Sequence, residues 1–283
     1  MIKPISTDFL MSKKNERIDV LLVQRGLVSS RERAKQLIMA GNVFVNDQLT
    51  DKPGKLVSID STIVLKESDT CPYVSKGGLK LKKAIDTFNI NVKGKIAIDV
   101  GASTGGFTDC LLQHGADFVY AVDVGYGQLD WKIRNDERVE VIERTNIRYV
   151  KPEQFQRQIE LAVIDVSFIS LDKVIPVINS IIKPESDIIA LIKPQFEAGR
   201  EFVHKGIVKD PEIHRSVIKK ICDLSIRESL AIKGLTFSPI KGSSGNIEFL
   251  IWLKKSNSDQ CLNDIDSLID NVVVSAHNFW REK

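Results

Sequence analysis

The 283-residue chain is predicted to be an α/β protein in two parts. A small α+β domain stands in front, and a larger domain follows with a mostly parallel sheet, helices on both faces and an antiparallel last strand. Three observations predict this. From Lys93 onward, near-continuous apolar runs alternate with helical stretches, the pattern of a parallel sheet covered on both sides. Before that point the texture is two short helices, then short strands with turn signals. Charge divides along the same line: residues 1–83 hold 15 Lys/Arg against 9 Asp/Glu, and the remainder 25 against 28. A basic front on a mildly acidic body suits a polyanionic partner for the front.

Residues 1–15 show no periodicity and are expected to form a flexible arm, within which Met11 is a second candidate start. From Ile18 the apolar stripe Ile18, Leu21, Leu22 and Leu27 predicts a helix that Gly26 stops. Ser29 and Glu32 have the spacing of a capping box before "RAKQLIMA", which Gly41 ends. "VFVND" and "STIVLK" read as the strands of a small hairpin around turn signals at Asn46-Asp47 and Pro53-Gly54. Arg25, Arg31, Arg33 and Lys35 cluster on and between the two helices, where guanidinium groups can pair bidentately with phosphate. The expected boundaries are 16–70 for this domain, 71–75 for a linker, 76–270 for the large domain and 271–283 for a tail.

The strand-like runs of the large domain are "KIAIDV", "FVYAVDV", "VEVIE", "LAVIDVS", "DIIALIK", "LAIKGLTFSPI" and "EFLIWLK". The last two flank "KGSSGN" closely, so an antiparallel pair at one edge is expected. Composition excludes several classes: the 43% apolar and 27% charged fractions are those of a soluble globular chain. No apolar run reaches the ~18–20 residues of a membrane span. Cys71, Cys110, Cys222 and Cys261 lie far apart without metal-ligand spacing, and reduced thiols in a cytoplasmic protein are expected.

"DVGASTGGFTD" follows the first strand and opens a helix, so this loop belongs at the carboxyl ends of the strands, where doubly wound sheets bind ligands. Asp99 closes the strand, Gly101 allows a tight turn, and Gly105 and Gly106 allow close backbone approach. Asp123, ending the second strand, stands where a carboxylate accepts from a ribose diol. Both NAD and S-adenosylmethionine (SAM) carry such a ribose. The spacing Gly101, Gly105, Gly106 lacks the second glycine of the pyrophosphate fingerprint, which leans toward SAM.

Asp165, Lys193 and Glu248 also fall at strand ends on that rim. A lysine closing an apolar buried strand is costly to bury unless paired. A lysine-carboxylate set suits a hydroxyl acceptor, whose oxygen becomes negative as it attacks.

These residues carry two resemblances. "RIDVLLVQRGLVSSRERAKQLIMAGNVFVND" resembles the S4-type RNA-binding domain. With it, "VSKGGLKL", "DVGASTGGFTD", "DVGYGQL", "RNDERV", "ERTN", "DVSFISL", "LIKPQFE" and "GNIEFLIWL" resemble the TlyA family of rRNA 2′-O-methyltransferases, often catalogued as haemolysins. The resemblance implies the Rossmann-like seven-stranded sheet of class I SAM-dependent methyltransferases, the FtsJ-like tetrad Lys80, Asp165, Lys193 and Glu248, and SAM as cofactor. It implies SAM contacts at Asp99, Gly101, Ala102, Ser103, Thr104, Gly105, Gly106, Asp123, Asn146 and Asp165. Arg17, Arg25, Arg31, Arg33, Lys35 and Lys76 become the expected RNA contacts. The implied reaction is methylation of a cytidine 2′-OH in 16S or 23S rRNA of 30S or 50S subunits. A monomer with neither DNA nor membrane partner is expected. The rival readings are a membrane-active haemolysin, an idle RNA-binding assembly factor and, more weakly, an NAD-dependent dehydrogenase.

Overall fold

The computed structural model describes residues 15–28, 30–39, 41–65, 71–256 and 264–282, and the chain divides into two compact units at Thr70/Cys71. The expected arm falls almost wholly outside the described residues, as do Ser29 and Cys261.

The first unit runs β1 (Asn15–Arg17), α1 (Ile18–Gln24), α2 (Arg31–Met39), β2 (Val43–Val45), β3 (Gln48–Leu49), β4 (Leu56–Ser58) and β5 (Ile63–Leu65). Its small core joins Ile18, Leu21 and Leu22 of α1 to Ala34, Leu37 and Ile38 of α2 and to Val43, Val45 and Val57. Gly26 ends α1 as expected, with φ +67 and the Leu27 N–H donating to the Leu22 carbonyl at 3.0 Å. Ser30 serves at the start of α2, its Oγ accepting from the Arg33 N–H at 3.2 Å. Asn46 and Asp47 both take positive φ in the β2–β3 turn. The expected hairpin is a three-stranded antiparallel sheet in the order β3-β2-β5, beside a separate β1–β4 pair. The extra strands are two or three residues long, too short for a periodicity to reveal.

The second unit contains α3 (Gly77–Phe88), β6 (Ile96–Val100), α4 (Gly106–Gln113), β7 (Phe118–Val122), α5 (Trp131–Arg134), β8 (Val139–Ile142), β9 (Ile159–Ile164), α6 (Ile175–Ile181), β10 (Ile182–Ile192), α7 (Pro194–Glu197), α8 (Pro211–Arg227), β11 (Ala231–Phe237), β12 (Phe249–Lys254) and α9 (Ile265–Arg281). The sheet order is β11-β12-β10-β9-β6-β7-β8. β12 lies between β10 and β11 and is antiparallel to both, so the reversed strand is one place inside the edge.

Strand alternation sends residues to two cores. Ile98, Val100, Ala162, Ile164, Ile188 and Ile192 join the core shared with α6, α8 and α9. Ala97, Leu161, Val163, Ile189 and Leu191 join the one beneath α3, α4 and α5. Each fully buried Leu or Ile contributes about 1.5–3 kcal/mol, so both faces are held firmly.

Two expected boundaries move. Residues 71–75, read as a linker, belong to the second unit: Tyr73 is buried and the Val74 N–H donates to Asp109 Oδ2 at 2.8 Å. The segment 271–283, read as a tail, is mostly the second half of α9, which buries Ile269, Val272, Val273 and Ala276. The helix is amphipathic, and its apolar face packs against α8 and the edge strand β11.

Candidate functional site

The rim at the carboxyl ends of β6, β7, β9 and β10 is built from backbone contacts as much as from side chains. The Asp165 N–H donates to the Val100 carbonyl at 2.9 Å, and Gly101, at φ +85, has no room for a side chain: a Cβ there would stand 2.5 Å from the Asp165 carbonyl oxygen. A cavity of about 940 Å³ opens beside this point. Of the expected cofactor residues, Gly101, Ser103, Asp123, Asn146 and Asp165 line it. Asp123 is fixed at the wall because Oδ2 accepts from the Ser103 N–H at 2.8 Å and Oδ1 from the Gly125 N–H at 2.6 Å. Asn146 Oδ1 accepts from the Arg148 N–H at 3.1 Å, capping the short turn 147–149.

The remaining expected cofactor residues lie elsewhere. Asp99 is wholly enclosed beneath the loop, with Oδ2 accepting from Thr108 Oγ1 at 2.7 Å and Oδ1 without a protein partner. Burial pushes its carboxyl up to about 7; the Thr108 hydrogen bond opposes this, and the Asp165 and Asp123 charges add to it. Ala102 and Thr104 are not on the cavity wall, and the close approaches of Gly105 and Gly106 are to protein. A Cβ on Gly105 would meet Leu129 Cδ1 at 2.9 Å; one on Gly106 would meet Ser75 Oγ at 2.2 Å and the Gly78 nitrogen at 2.9 Å. The starts of α3 and α4 thus touch backbone to backbone.

That contact places Lys80. One turn into α3, it is buried, and its Nζ is 2.6 Å from Glu248 Oε2. Burial pushes the Glu248 carboxyl up, while Lys80 and Lys193 pull it down and Asp165 adds to the rise. The second pair is Lys193 Nζ and Asp165 Oδ1, at 2.6 Å; Lys193 also donates to Ser167 Oγ at 2.9 Å. The Lys193–Asp165 approach is a charge contact without hydrogen-bond alignment, since Asp165 Oδ1 has no aligned donor. All four expected tetrad residues therefore meet, from α3, the end of β9, the end of β10 and the start of β12.

Such an arrangement gathers two ammonium groups and two carboxylates, one of which, Asp165, lines the cavity. It can stabilise a developing alkoxide and receive its proton.

Sequence reasoning missed several wall residues: Ser167, Phe168, Thr145, Gln195 and Phe196. Phe168 is 91% exposed at φ +63, with its ring 5.0 Å from that of Phe196. An aromatic side chain in the segment "DVSFISL", just after β9, was the available signal. Its backbone conformation was not readable.

The expected RNA contacts separate into two kinds, and all but Lys76, just before α3, lie in the first unit. Arg17 grips Asp19 with Nε and Nη2, both at 3.0 Å, and Arg31 Nη2 reaches the same carboxylate at 3.0 Å. Arg17 first, then Arg31, holds the buried Asp19 carboxyl down to about 2 against its desolvation. Arg25 donates to the backbone carbonyls of Ser61 and Ile59. These three guanidiniums tie the domain together, a use that a charge count cannot distinguish from phosphate contact. Lys35 and Lys76 are exposed, and Arg33 is half-buried.

The FtsJ-like methyltransferase family model matches residues 73–255, and the S4 domain model matches 16–63. The chain belongs to the FtsJ-like methyltransferase family. This FtsJ-like methyltransferase is 52% identical to YqxC of Bacillus subtilis over 96% of its own length and 98% of that protein. It is 40% identical to the 16S/23S rRNA (cytidine-2′-O)-methyltransferase TlyA of Mycobacterium tuberculosis, covering 88% of this chain and 93% of that one. A solved Streptococcus thermophilus protein superposes with a TM-score of 0.76 at 45% identity, covering 96% and 98% of the two chains. Among the described residues no helix is long and apolar enough to cross a membrane.

Proposed function

We propose that this FtsJ-like methyltransferase transfers a methyl group from SAM to a cytidine 2′-hydroxyl in 16S or 23S rRNA, acting as a cytoplasmic monomer on ribosomal subunits. The observation that carries the reading is the pairing of Lys80 with Glu248 and of Lys193 with Asp165, the last of which lines the cavity. It is supported by the TlyA relative, whose reaction is of this kind, and by the S4 domain in front.

The cavity residues fit SAM. Gly101 leaves the floor open, and Asp123, already anchored by two backbone N–H groups, has lone pairs left for a ribose diol. SAM supplies an electrophilic methyl carbon. The chain's own residues orient the acceptor: Lys193 and Lys80 present positive charge to the ribose oxygen as it attacks. The proton leaves into the lysine-carboxylate cluster, which titrates as a unit. Asp165 and Glu248 hold the two ammonium groups in place, each at 2.6 Å. Lys35, Arg33 and Lys76, with the outer faces of Arg17, Arg25 and Arg31, are the proposed phosphate contacts.

Tritiated methyl transfer from SAM to purified 30S and 50S subunits, followed by nuclease mapping, tests the reading. Label at a cytidine ribose is the expected result. Absence of label on both subunits, or label on a base, overturns it.

A further inference from the structure

Glu197 is a buried carboxylate to which the chemistry above gives no task. It ends α7, four residues after Lys193, with only 7% of its surface exposed. Its Oε1 accepts from the Leu171 N–H at 2.7 Å, and its Oε2 accepts from Ser170 Oγ at 2.5 Å. From α8, Lys220 Nζ stands 3.5 Å from Oε2 and donates to the Glu197 carbonyl at 3.2 Å. Burial pushes the carboxyl up, and these donors pull it back. A buried ion costs several kcal/mol to desolvate, and apolar replacements of buried ion pairs are often neutral or stabilising. Stability by itself therefore does not call for a carboxylate here.

What the carboxylate joins is informative. Ser170 and Leu171 close the loop that begins at Asp165, whereas Glu197 closes the one that begins at Lys193. The same two loops touch through Lys193 to Asp165 and Ser167, and through the Phe168 and Phe196 rings. Both line the cavity, and Phe168 is held at positive φ between the two joints.

We propose that Glu197 is a positioning residue that clasps loop 165–171 to loop 193–198 and so sets Lys193 against Asp165. This rests on the reading that the pair serves methyl transfer to a ribose hydroxyl. Of the expected cofactor contacts on the cavity wall only Asp165 lies on a clasped loop, while Gly101, Ser103, Asp123 and Asn146 lie on others, so releasing the clasp acts more on turnover than on SAM affinity. A misplacement of about 1 Å costs up to about 100-fold in rate.

The test compares Glu197→Gln and Ser170→Ala with Trp252→Phe, which removes a hydrogen bond to Asp187 at the opposite end of the sheet. Ser170→Ala deletes one hydroxyl and serves if Glu197→Gln fails to fold. Tm, SAM Kd by calorimetry, and kcat with ribosomal subunits are measured for each. The expected result is a fall in kcat of about 10- to 100-fold for both clasp variants, with SAM Kd weakened by no more than about fivefold, since Ser170 and Asp165 line the cavity while the other contacts stay in place. Trp252→Phe, at a similar loss of Tm, keeps its kcat within about twofold. The double variant Glu197→Gln/Ser170→Ala falls short of the product of the single effects, because both release one joint. Parental kcat in Glu197→Gln, or a loss no larger than that of Trp252→Phe, overturns the clasp alone. No methyl transfer by the parent protein overturns the functional reading and the clasp with it.

Discussion

Both ends of the seven-stranded sheet carry lysine-carboxylate pairs at nearly equal separations. Where the parallel strands begin, Lys95 Nζ is 2.7 Å from Asp187 Oδ2 and Lys183 Nζ is 2.5 Å from Glu160 Oε1. Where they finish, Lys80–Glu248 and Lys193–Asp165 each stand at 2.6 Å. Distance therefore does not distinguish a site from a staple. The surroundings do. At the starting end every carboxylate is satisfied: Trp252 Nε1 donates to Asp187 Oδ1 at 3.0 Å, the Ile96 N–H donates to Glu160 Oε2 at 3.0 Å, and Lys183, then Ile96, holds the Glu160 carboxyl down. At the finishing end burial pushes Glu248 up, Asp165 Oδ1 lacks an aligned donor, and a cavity opens alongside. Incomplete satisfaction beside a cavity is the mark of groups kept ready for a ligand.

The largest expected effect breaks one end and spares the other. Lys193→Ala and Lys80→Ala each lower methyl transfer by about 100- to 10,000-fold, the range lost with a proton-handling or charge-stabilising group. SAM affinity stays nearly intact in Lys80→Ala. Lys95→Met retains activity within about threefold below its melting temperature. An equal loss in Lys95→Met, read by tritiated methyl transfer, would erase the difference between the ends.

Acid distinguishes the ends next. His214 is fully enclosed; its Nε2 meets the Val208 carbonyl at 3.2 Å and its Nδ1 meets His277 Nε2 at 2.9 Å. Burial, then His277, pulls it from 6.5 down to about 4, and the Val208 hydrogen bond opposes this. A histidine depressed in the folded state stabilises above its unfolded pKa and loses that contribution as the pH falls through the folded one. The loss, about 3 kcal/mol, is therefore expected between pH 6.5 and 4. Glu160 is also depressed, so its contribution is lost only as the pH falls below its ordinary 4.5. Thermal melts from pH 7 to 4 should show the earlier step in the parent and its reduction in His214→Gln; superimposable curves would remove it.

The cofactor side should give a smaller change. Asp123→Ala weakens SAM binding about 10- to 100-fold by calorimetry, the value of a hydrogen bond to a charged group. Saturating kcat changes little. A matching loss in turnover would move Asp123 to the acceptor side.

The smallest effect lies in the S4 domain. Lys35→Ala lowers subunit affinity by about two- to fivefold and flattens its salt dependence by roughly one phosphate contact, with Tm unchanged. Arg31→Ala, by contrast, lowers Tm because it takes a donor from the buried Asp19.

Much of this was legible in the residues. Seven apolar runs marked seven strands; Asp165 and Lys193 ended two of them and Glu248 opened a third, whereas Lys80 came only with the TlyA resemblance. Asp123 and Gly101 could be placed because a loop after a parallel strand has one place to go. The short strands of the first unit, the packing of Tyr73 and the helix over 265–281 were obscured, since each depends on a partner distant in the chain. The three arginines that bind Asp19 or backbone carbonyls were read only as cations for the same reason.

By itself the sequence determined the domain order, the sheet's alternation and the chemical types gathered at its rim, because these follow from local periodicity and from the direction of parallel strands. Only the tertiary structure decided which lysine meets which carboxylate: Lys80 and Glu248 are 168 residues apart. It also decided that Gly105 and Gly106 serve helix packing, and that Glu197 lies between two loops. Contacts of that separation are set by how closely α3, α4 and the strand ends approach, a matter of packing volume that no single stretch encodes.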